Sequence, residues 1–370
     1  MPRLALISVL PLAALTAAIV NLDTGTPPGA DPSPEPEPRV ASELTTRQLA
    51  GSRIVCGFDG RTAPQSLLGA VSAGEIGGVI YFDDNIRSRA QLARMSAAIQ
   101  AAPRPDPLKP PVVISVDQEG GQVKRLGGAP AASAEQMGSR GASYSRSQGA
   151  RTAASLKGVG INVNLAPVLD VARPSGFIAD QDRAFGTKPG RVSSAGVAFA
   201  EGLQSGGVAA TAKHFPGLGS TSANTDLRPA KIPLSAGTLR SVDQAPYRAF
   251  SAAGGKLVMV SSARYPALRD PKLPASQSAA IVQDELRARL RYEGVTITDS
   301  LETPSATQGA SDAQVAVRAA TAGMDLLLYV HCDAGIRAAR ALRNGLESGA
   351  LDRAAFELSV DRVLAMRAGL

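Results

Sequence analysis

The chain has 370 residues, 44% of them hydrophobic and 4% aromatic, with no tryptophan and a formal net charge of +7. That length and apolar content bury one large domain or two ordinary ones. The shortage of aromatic rings excludes a stacking platform for single-stranded nucleic acid. Lysines and arginines are scattered, which excludes a nucleic-acid footprint and leaves the charge as surface character suited to anionic wall polymers.

In chain order, Arg3 precedes an apolar run at 4–20 with small residues at Ala17 and Ala18. This reads as a secretory signal. The run is short for a spanning helix and carries Pro11, so residues 1–22 are a signal peptide or an uncleaved anchor. No cysteine follows closely, which argues against a lipoprotein. The Pro-, Gly- and acid-rich stretch 23–41 reads as a disordered linker, and the folded domain as 42–370. An exported protein permits a Cys56–Cys332 disulfide; two buried free thiols are the alternative. This pair and two distant histidines cannot build a metal site, so neither metal nor cofactor is expected.

Apolar, β-branched runs recur at 53–58, 78–82, 112–116, 161–166, 208–213, 256–261, 294–298 and 325–330. Amphipathic helical stretches lie between them, most clearly at 87–101, 191–204, 276–291 and 334–346. Alternating β and α elements imply a parallel sheet covered by helices. Runs apolar on both faces fit strands buried on both sides. Eight repeats predict an α/β fold, a single (β/α)8 TIM barrel. A doubly wound sheet would show a Gly-rich turn after the first strand, and Cys56-Gly57-Phe58-Asp59-Gly60 lacks that spacing.

A barrel carries its chemistry just past the strand C-termini. The third strand ends in Asp117-Gln118-Glu119-Gly120-Gly121 and the fourth runs into Pro167-Val168-Leu169-Asp170. The fifth ends in Lys213-His214, the sixth in Ser261-Ser262 and the seventh in Thr298-Asp299-Ser300. Singly, Asp299 reads equally as a helix cap and Asp170 as a turn cap; the convergence favours a site. Arg125 and Arg183 lie in the loops after strands three and four. The sequence contains no G-x-S-x-G elbow. Schiff-base chemistry at Lys213 is an alternative, but a ring of carboxylates, Lys, His and Arg suits sugar hydroxyls better. A carboxylate at the floor can attack an anomeric carbon, so glycoside hydrolysis leads. The long polar loop 217–239 is expected to be a lid over the pocket.

Several ordered motifs resemble family 3 glycoside hydrolases of the single-domain bacterial β-N-acetylglucosaminidase type. They are Val116-Asp117-Gln118-Glu119-Gly120-Gly121 through Arg125-Leu126, Asn164-Leu165-Ala166-Pro167-Val168-Leu169-Asp170-Val171, Asp182-Arg183-Ala184-Phe185-Gly186, Lys213-His214-Phe215-Pro216-Gly217 and Gly294-Val295-Thr296-Ile297-Thr298-Asp299. The resemblance covers essentially the whole of 42–370. It implies Asp299 as the nucleophile of a covalent glycosyl-enzyme. It also implies that Asp117, Lys213 and His214 hold the terminal sugar, with Arg125 and Arg183 assisting. The implied substrate is a terminal β-linked N-acetylglucosamine of a peptidoglycan- or chitin-type oligosaccharide, cleaved by an exported monomer whose only membrane contact is the optional anchor.

The chain departs from that pattern in the loop after strand five. The resembled branch reads Lys-His-Phe-Pro-Gly-His-Gly and then an Asp-x-His pair that supplies the acid/base. Here Leu218, Asn224 and Asp226 occupy those positions. Three readings stand. Asp226 or another carboxyl is the acid; the enzyme is slow and takes activated leaving groups; or the chain is a catalytically impaired wall- or sugar-binding protein. A family 3 β-glucosidase or phosphorylase of different sugar specificity is the remaining enzymatic alternative.

Overall fold

A computed structural model of the protein describes residues 40–370; the expected signal or anchor at 1–22 and the linker up to residue 39 lie outside the described residues. Eight parallel strands carry the fold: β1 Ile54–Cys56, β2 Gly78–Tyr81, β3 Val113–Val116, β4 Val163–Asn164, β5 Ala209–Phe215, β6 Leu257–Val260, β7 Val295–Thr298 and β8 Leu327–Tyr329. Each pairs with its neighbours in sequence, and β1 also pairs with β8. The ring closes between β7 and β8, where Ile297 bridges Leu326 and the Thr298 N–H donates to the Leu326 carbonyl at 3.0 Å. The expected (β/α)8 barrel is therefore the observed fold.

Alternation along each strand splits the core in two. Val55, Ile80, Val113, Val163, Leu165, Leu257, Met259, Val295, Ile297 and Leu328 fill the barrel interior, with Val363 from the last helix. The intervening Ile54, Val79, Ile114, Ala210, Val258 and Leu327 face the surrounding helices. The helix Arg353–Ala368 lies at the N-terminal end of the barrel. There the fully buried Asp325 accepts from Arg287 at 2.6 Å and Arg362 at 2.9 Å. Two cations, the Thr296 N–H and the Thr296 hydroxyl satisfy that carboxylate, as a buried charge requires.

Several local expectations need correction. The helix read at 276–291 resolves into a 3-10 turn, Ala275–Gln277, and a π-wound helix, Ala280–Arg289. The cause is Ser278, whose hydroxyl accepts from the Ile281 N–H at 3.2 Å and starts the helix afresh. Cys332 opens the helix Cys332–Glu347. It is disulfide-bonded to Cys56 of β1, with the Cα atoms 4.9 Å apart. A short antiparallel hairpin, Gln118–Gly120 with Val123–Lys124, follows β3 and escaped the sequence reading. Its turn needs glycine at 120, where φ is +102° and a Cβ would lie 2.3 Å from the Ala132 carbonyl oxygen. The domain opens on a 3-10 turn, Val40–Glu43, with Ala41 buried and its N–H donating to Asp361 at 2.8 Å. Among the described residues no helix is long and apolar enough to cross a membrane.

Candidate active site

The strand C-termini surround a cavity of about 640 Å³, and Asp117, Arg125, Arg183, Lys213, His214, Asp226 and Asp299 all line it. Its floor is the top layer of the barrel core, with Ile80, Leu165, Met259 and Leu328. The peptide bonds Ala166–Pro167, Lys213–His214 and Phe215–Pro216, all at this edge, are cis.

At its centre is an ion-paired cradle. Lys213, at the end of β5, is only 3% exposed. Its Nζ lies 2.6 Å from Asp117 Oδ1 and 2.7 Å from Glu119 Oε1. Arg183 donates from Nε and Nη2 to the two oxygens of Glu119 at 2.8 and 2.9 Å, a bidentate fork. Two cations and two carboxylates thus interlock, and the charges orient one another before any ligand arrives. Burial pushes the Glu119 carboxyl up, but Arg183 and Lys213 outweigh it and hold the pKa down to about 2. Burial likewise opposes charge on Arg183 and Lys213, and the facing carboxylates more than offset it, so both sit above their ordinary values. The sequence motif around Asp117 contains Glu119 but points to no role for it. Its partner Arg183 lies 64 residues away, and no local spacing reveals that pairing.

The Glu119 shift fixes a pH dependence of folding. The folded pKa of about 2 lies below the ordinary 4.5. The stabilisation is therefore fully present above about 4.5 and is lost as pH falls through 2. It amounts to on the order of 3 kcal/mol. Glu119→Gln, measured by urea unfolding between pH 7 and 2, is expected to be destabilised by about 3–5 kcal/mol at neutral pH, because two buried cations lose a shared anion. Its stability should also fall less steeply in acid than that of the unmodified protein.

His214 is fixed differently. Its Nδ1 lies 2.7 Å from Asp170 Oδ2, and Asp170 Oδ1 accepts the Leu218 N–H at 2.6 Å and the His214 N–H at 3.3 Å. Asp170 does cap a turn, as one reading held, but it also sets the imidazole, leaving Nε2 for a ligand. Below the loop, the Tyr265 hydroxyl donates to the Gly217 carbonyl at 3.0 Å. Gly217 has φ +131°, and a Cβ there would meet Asp243 Cβ at 2.6 Å. Asp243 in turn binds Arg173 through two hydrogen bonds of 2.7 Å. The Pro-Gly step after Phe215 is thus required by close backbone approach.

Asp299 follows β7 directly and is half-buried; its Oδ1 accepts from the Ser300 N–H at 2.8 Å. It does not cap the next helix, Pro304–Thr307, whose cap is Thr303. Its Oδ2 has no protein hydrogen bond among the described residues. Asp226 sits in the loop 217–235, where Asn224 Oδ1 accepts its N–H at 2.9 Å. The residue is exposed overall and also borders the cavity. Crowding by protein raises its pKa first, and the nearby Asp299 and Asp117 raise it further, against His214 and Arg183. The loop is tied at both ends. Beyond the Leu218 anchor, the Ile232 N–H donates to the Arg264 carbonyl at 2.8 Å and the Arg264 N–H to the Ala230 carbonyl at 2.9 Å. Between them, Asp226 and Leu227, 75% exposed, form the tip.

Arg125 stands apart from the cradle, at the cavity edge, with Nη1 3.2 Å from Asp83 Oδ2. Gln118 Oε1 accepts its backbone N–H at 3.0 Å. Glu302 and His331, also bordering the cavity, were not singled out from sequence; His331 Nδ1 lies 2.9 Å from Glu302 Oε1. Among the described residues no group of three His, Cys, Asp or Glu side chains is placed to hold a metal ion.

The sequence profile of the Glycosyl hydrolase family 3 N terminal domain matches residues 57–366. An uncharacterized secreted glycosyl hydrolase of Arthroderma benhamiae is 40% identical over 342 residues, covering 90% of this chain and 96% of that protein. The structure of a family 3 β-N-acetylglucosaminidase from a Paenibacillus species superposes with a TM-score of 0.81 at 33% identity, over 88% of this chain but only 63% of the longer enzyme. The β-N-acetylhexosaminidase of Beutenbergia cavernae superposes with a TM-score of 0.77 at 30% identity, over 88% and 98% of the two chains. With its barrel and most of its length matched in this way, the chain belongs to the family 3 glycoside hydrolases, as a member similar to their β-N-acetylhexosaminidases.

Proposed function

We propose that this glycoside hydrolase releases terminal β-linked N-acetylglucosamine with retention, through a covalent glycosyl-enzyme on Asp299 and with Asp226 as the acid/base. The observation that carries the reading is the pairing of two unlike carboxyls across one cavity. Asp299 stands beside a neutral cradle of Asp117, Glu119, Arg183 and Lys213. Asp226 is held in a loop above, where the charge of Asp299 helps keep it protonated. A second carboxyl whose pKa is raised, facing the carboxylate of Asp299 across the cavity, is what a retaining glycosidase needs as its acid.

The roles follow from that geometry. Lys213, Asp117 and the Nε2 of His214 hold ring hydroxyls by charge-assisted hydrogen bonds, while Arg183 keeps Glu119 in place. Asp299 Oδ2 attacks the anomeric carbon as the bond to the leaving oxygen breaks, and Asp226 gives that oxygen its proton. Asp226 then takes a proton from water, which attacks the same carbon and frees Asp299. The acid is a carboxyl because Leu218, Asn224 and Asp226 replace the histidine-bearing loop. We place the protein outside the cytoplasm, acting as a monomer on wall- or chitin-type oligosaccharides. The signal-like residues 4–20 and the secreted relative support export.

The test is a panel of 4-nitrophenyl β-glycosides, with and without phosphate, combined with trapping by a 5-fluoro-N-acetylglucosaminyl fluoride and peptide mass analysis. Preferential release from the N-acetylglucosaminide and a label on Asp299 are expected. Preference for the glucoside, dependence on phosphate, or a label on another residue would overturn the reading.

A further inference from the structure

Glu302 and His331 share the cavity with Asp299, yet no step above uses them. Glu302 lies in the turn just after Asp299, and both of its carboxylate oxygens are committed. Oε2 accepts the Val330 N–H and, at 3.0 Å, the His331 N–H, while Oε1 faces His331 Nδ1 at 2.9 Å. The imidazole of a largely exposed residue is therefore held by its ring and by its own backbone. A carboxylate hydrogen-bonded to Nδ1 makes the ring more basic and raises the pKa of His331. Nε2 then carries a donor N–H over a wider pH range. It has no protein partner among the described residues, and the side chain is 65% exposed.

Position gives this group a use. His331 borders the main cavity and also a second cavity of about 240 Å³, whose walls include Phe58, Pro64, Leu67 and Ile336. His331 is the residue that lines both. A terminal sugar seated in the Lys213 cradle directs its leaving group out of the cavity that Asp299, Asp226 and His331 all line. Proton donation to the leaving oxygen is a poorer role for His331. Asp226 feels the charge of Asp299, whereas the charges acting on His331 are those of Glu302, Asp59 and Asp333.

We propose that His331, braced by Glu302, forms the leaving-group subsite, donating from Nε2 to a hydroxyl of the second pyranose ring of a β-linked oligosaccharide that extends toward the smaller cavity. The inference rests on the glycosidase reading above. Apolar walls at Phe58 and Ile336 suit the ring's less polar face, and the imidazole supplies direction. An aryl leaving group offers His331 no hydroxyl, so the two substrate types separate its contribution from that of the cradle.

The experiment compares kcat/KM for N,N′-diacetylchitobiose and for 4-nitrophenyl β-N-acetylglucosaminide in the unmodified protein, His331→Ala and His331→Gln. The ratio of disaccharide to aryl-glycoside kcat/KM is expected to fall about tenfold to a hundredfold in His331→Ala, the worth of one charge-assisted hydrogen bond. His331→Gln, which retains a neutral donor, should recover part of it. An unchanged ratio, or equal loss on both substrates in both variants, overturns the subsite while leaving the glycosidase reading intact. Failure of the unmodified protein to cleave either substrate overturns that reading and this inference with it.

Discussion

Asp299→Asn is expected to lower kcat on 4-nitrophenyl β-N-acetylglucosaminide by on the order of 10⁴-fold, with little change in stability. The asparagine oxygen can still accept from the Ser300 N–H, the one hydrogen bond that fixes the carboxylate. The fold therefore has no reason to adjust, while the nucleophilic oxygen is gone. Substrate affinity should survive, because the sugar is gripped by Lys213, Asp117 and His214 rather than by Asp299. Steady-state kinetics and a thermal unfolding curve on the same preparation check both halves. A variant that keeps more than a few per cent of kcat would show that the attacking group lies elsewhere.

The second large effect belongs to Asp226. Asp226→Asn should cost about 10²–10⁴-fold on substrates with poor leaving groups and far less on those with good ones, since an activated phenolate leaves without a proton. The pH profile carries the sign. A proton donor works in its protonated form, so kcat/KM falls as pH rises through the pKa of Asp226. Burial and the charge of Asp299 raise that pKa, so the fall lies at higher pH than for an ordinary aspartate. The variant should lose that limb of the profile. Equal losses on good and poor leaving groups, with the limb retained, would assign proton transfer to another residue.

The barrel was legible because its strands are buried on both faces, so runs such as 256–261 and 294–298 stand out as short apolar segments whatever surrounds them. Asp117, Lys213, His214 and Asp299 were legible for a related reason: each follows such a run at the edge where a barrel gathers its chemistry. What escaped were partnerships across the chain. Glu119 is understood only through Arg183, and Asp170 only through His214 and Leu218, 44 and 48 residues away. His331 gains meaning from Glu302, which reaches it because β7 and β8 lie side by side. The hairpin at 118–124 was hidden because its strands are two and three residues long, too short for any periodicity to register. Asp226 was visible as a departure, but its environment depends on a loop whose anchors at Asp170 and at Arg264-Tyr265 come from two separate segments.

The bond between Cys56 and Cys332 spans 276 positions of sequence, nearly the whole perimeter of the barrel. In the oxidised protein the stretch between the two cysteines stays a large covalent ring even when unfolded, and in the chain-entropy picture that restriction disfavours the unfolded state by on the order of 5 kcal/mol. Topologically, a single backbone break anywhere between the two cysteines leaves one molecule instead of two, its pieces still tethered at the seam where the first and last strands meet. Wherever proteases act on it, a barrel riveted at its seam stays in one piece after such an injury.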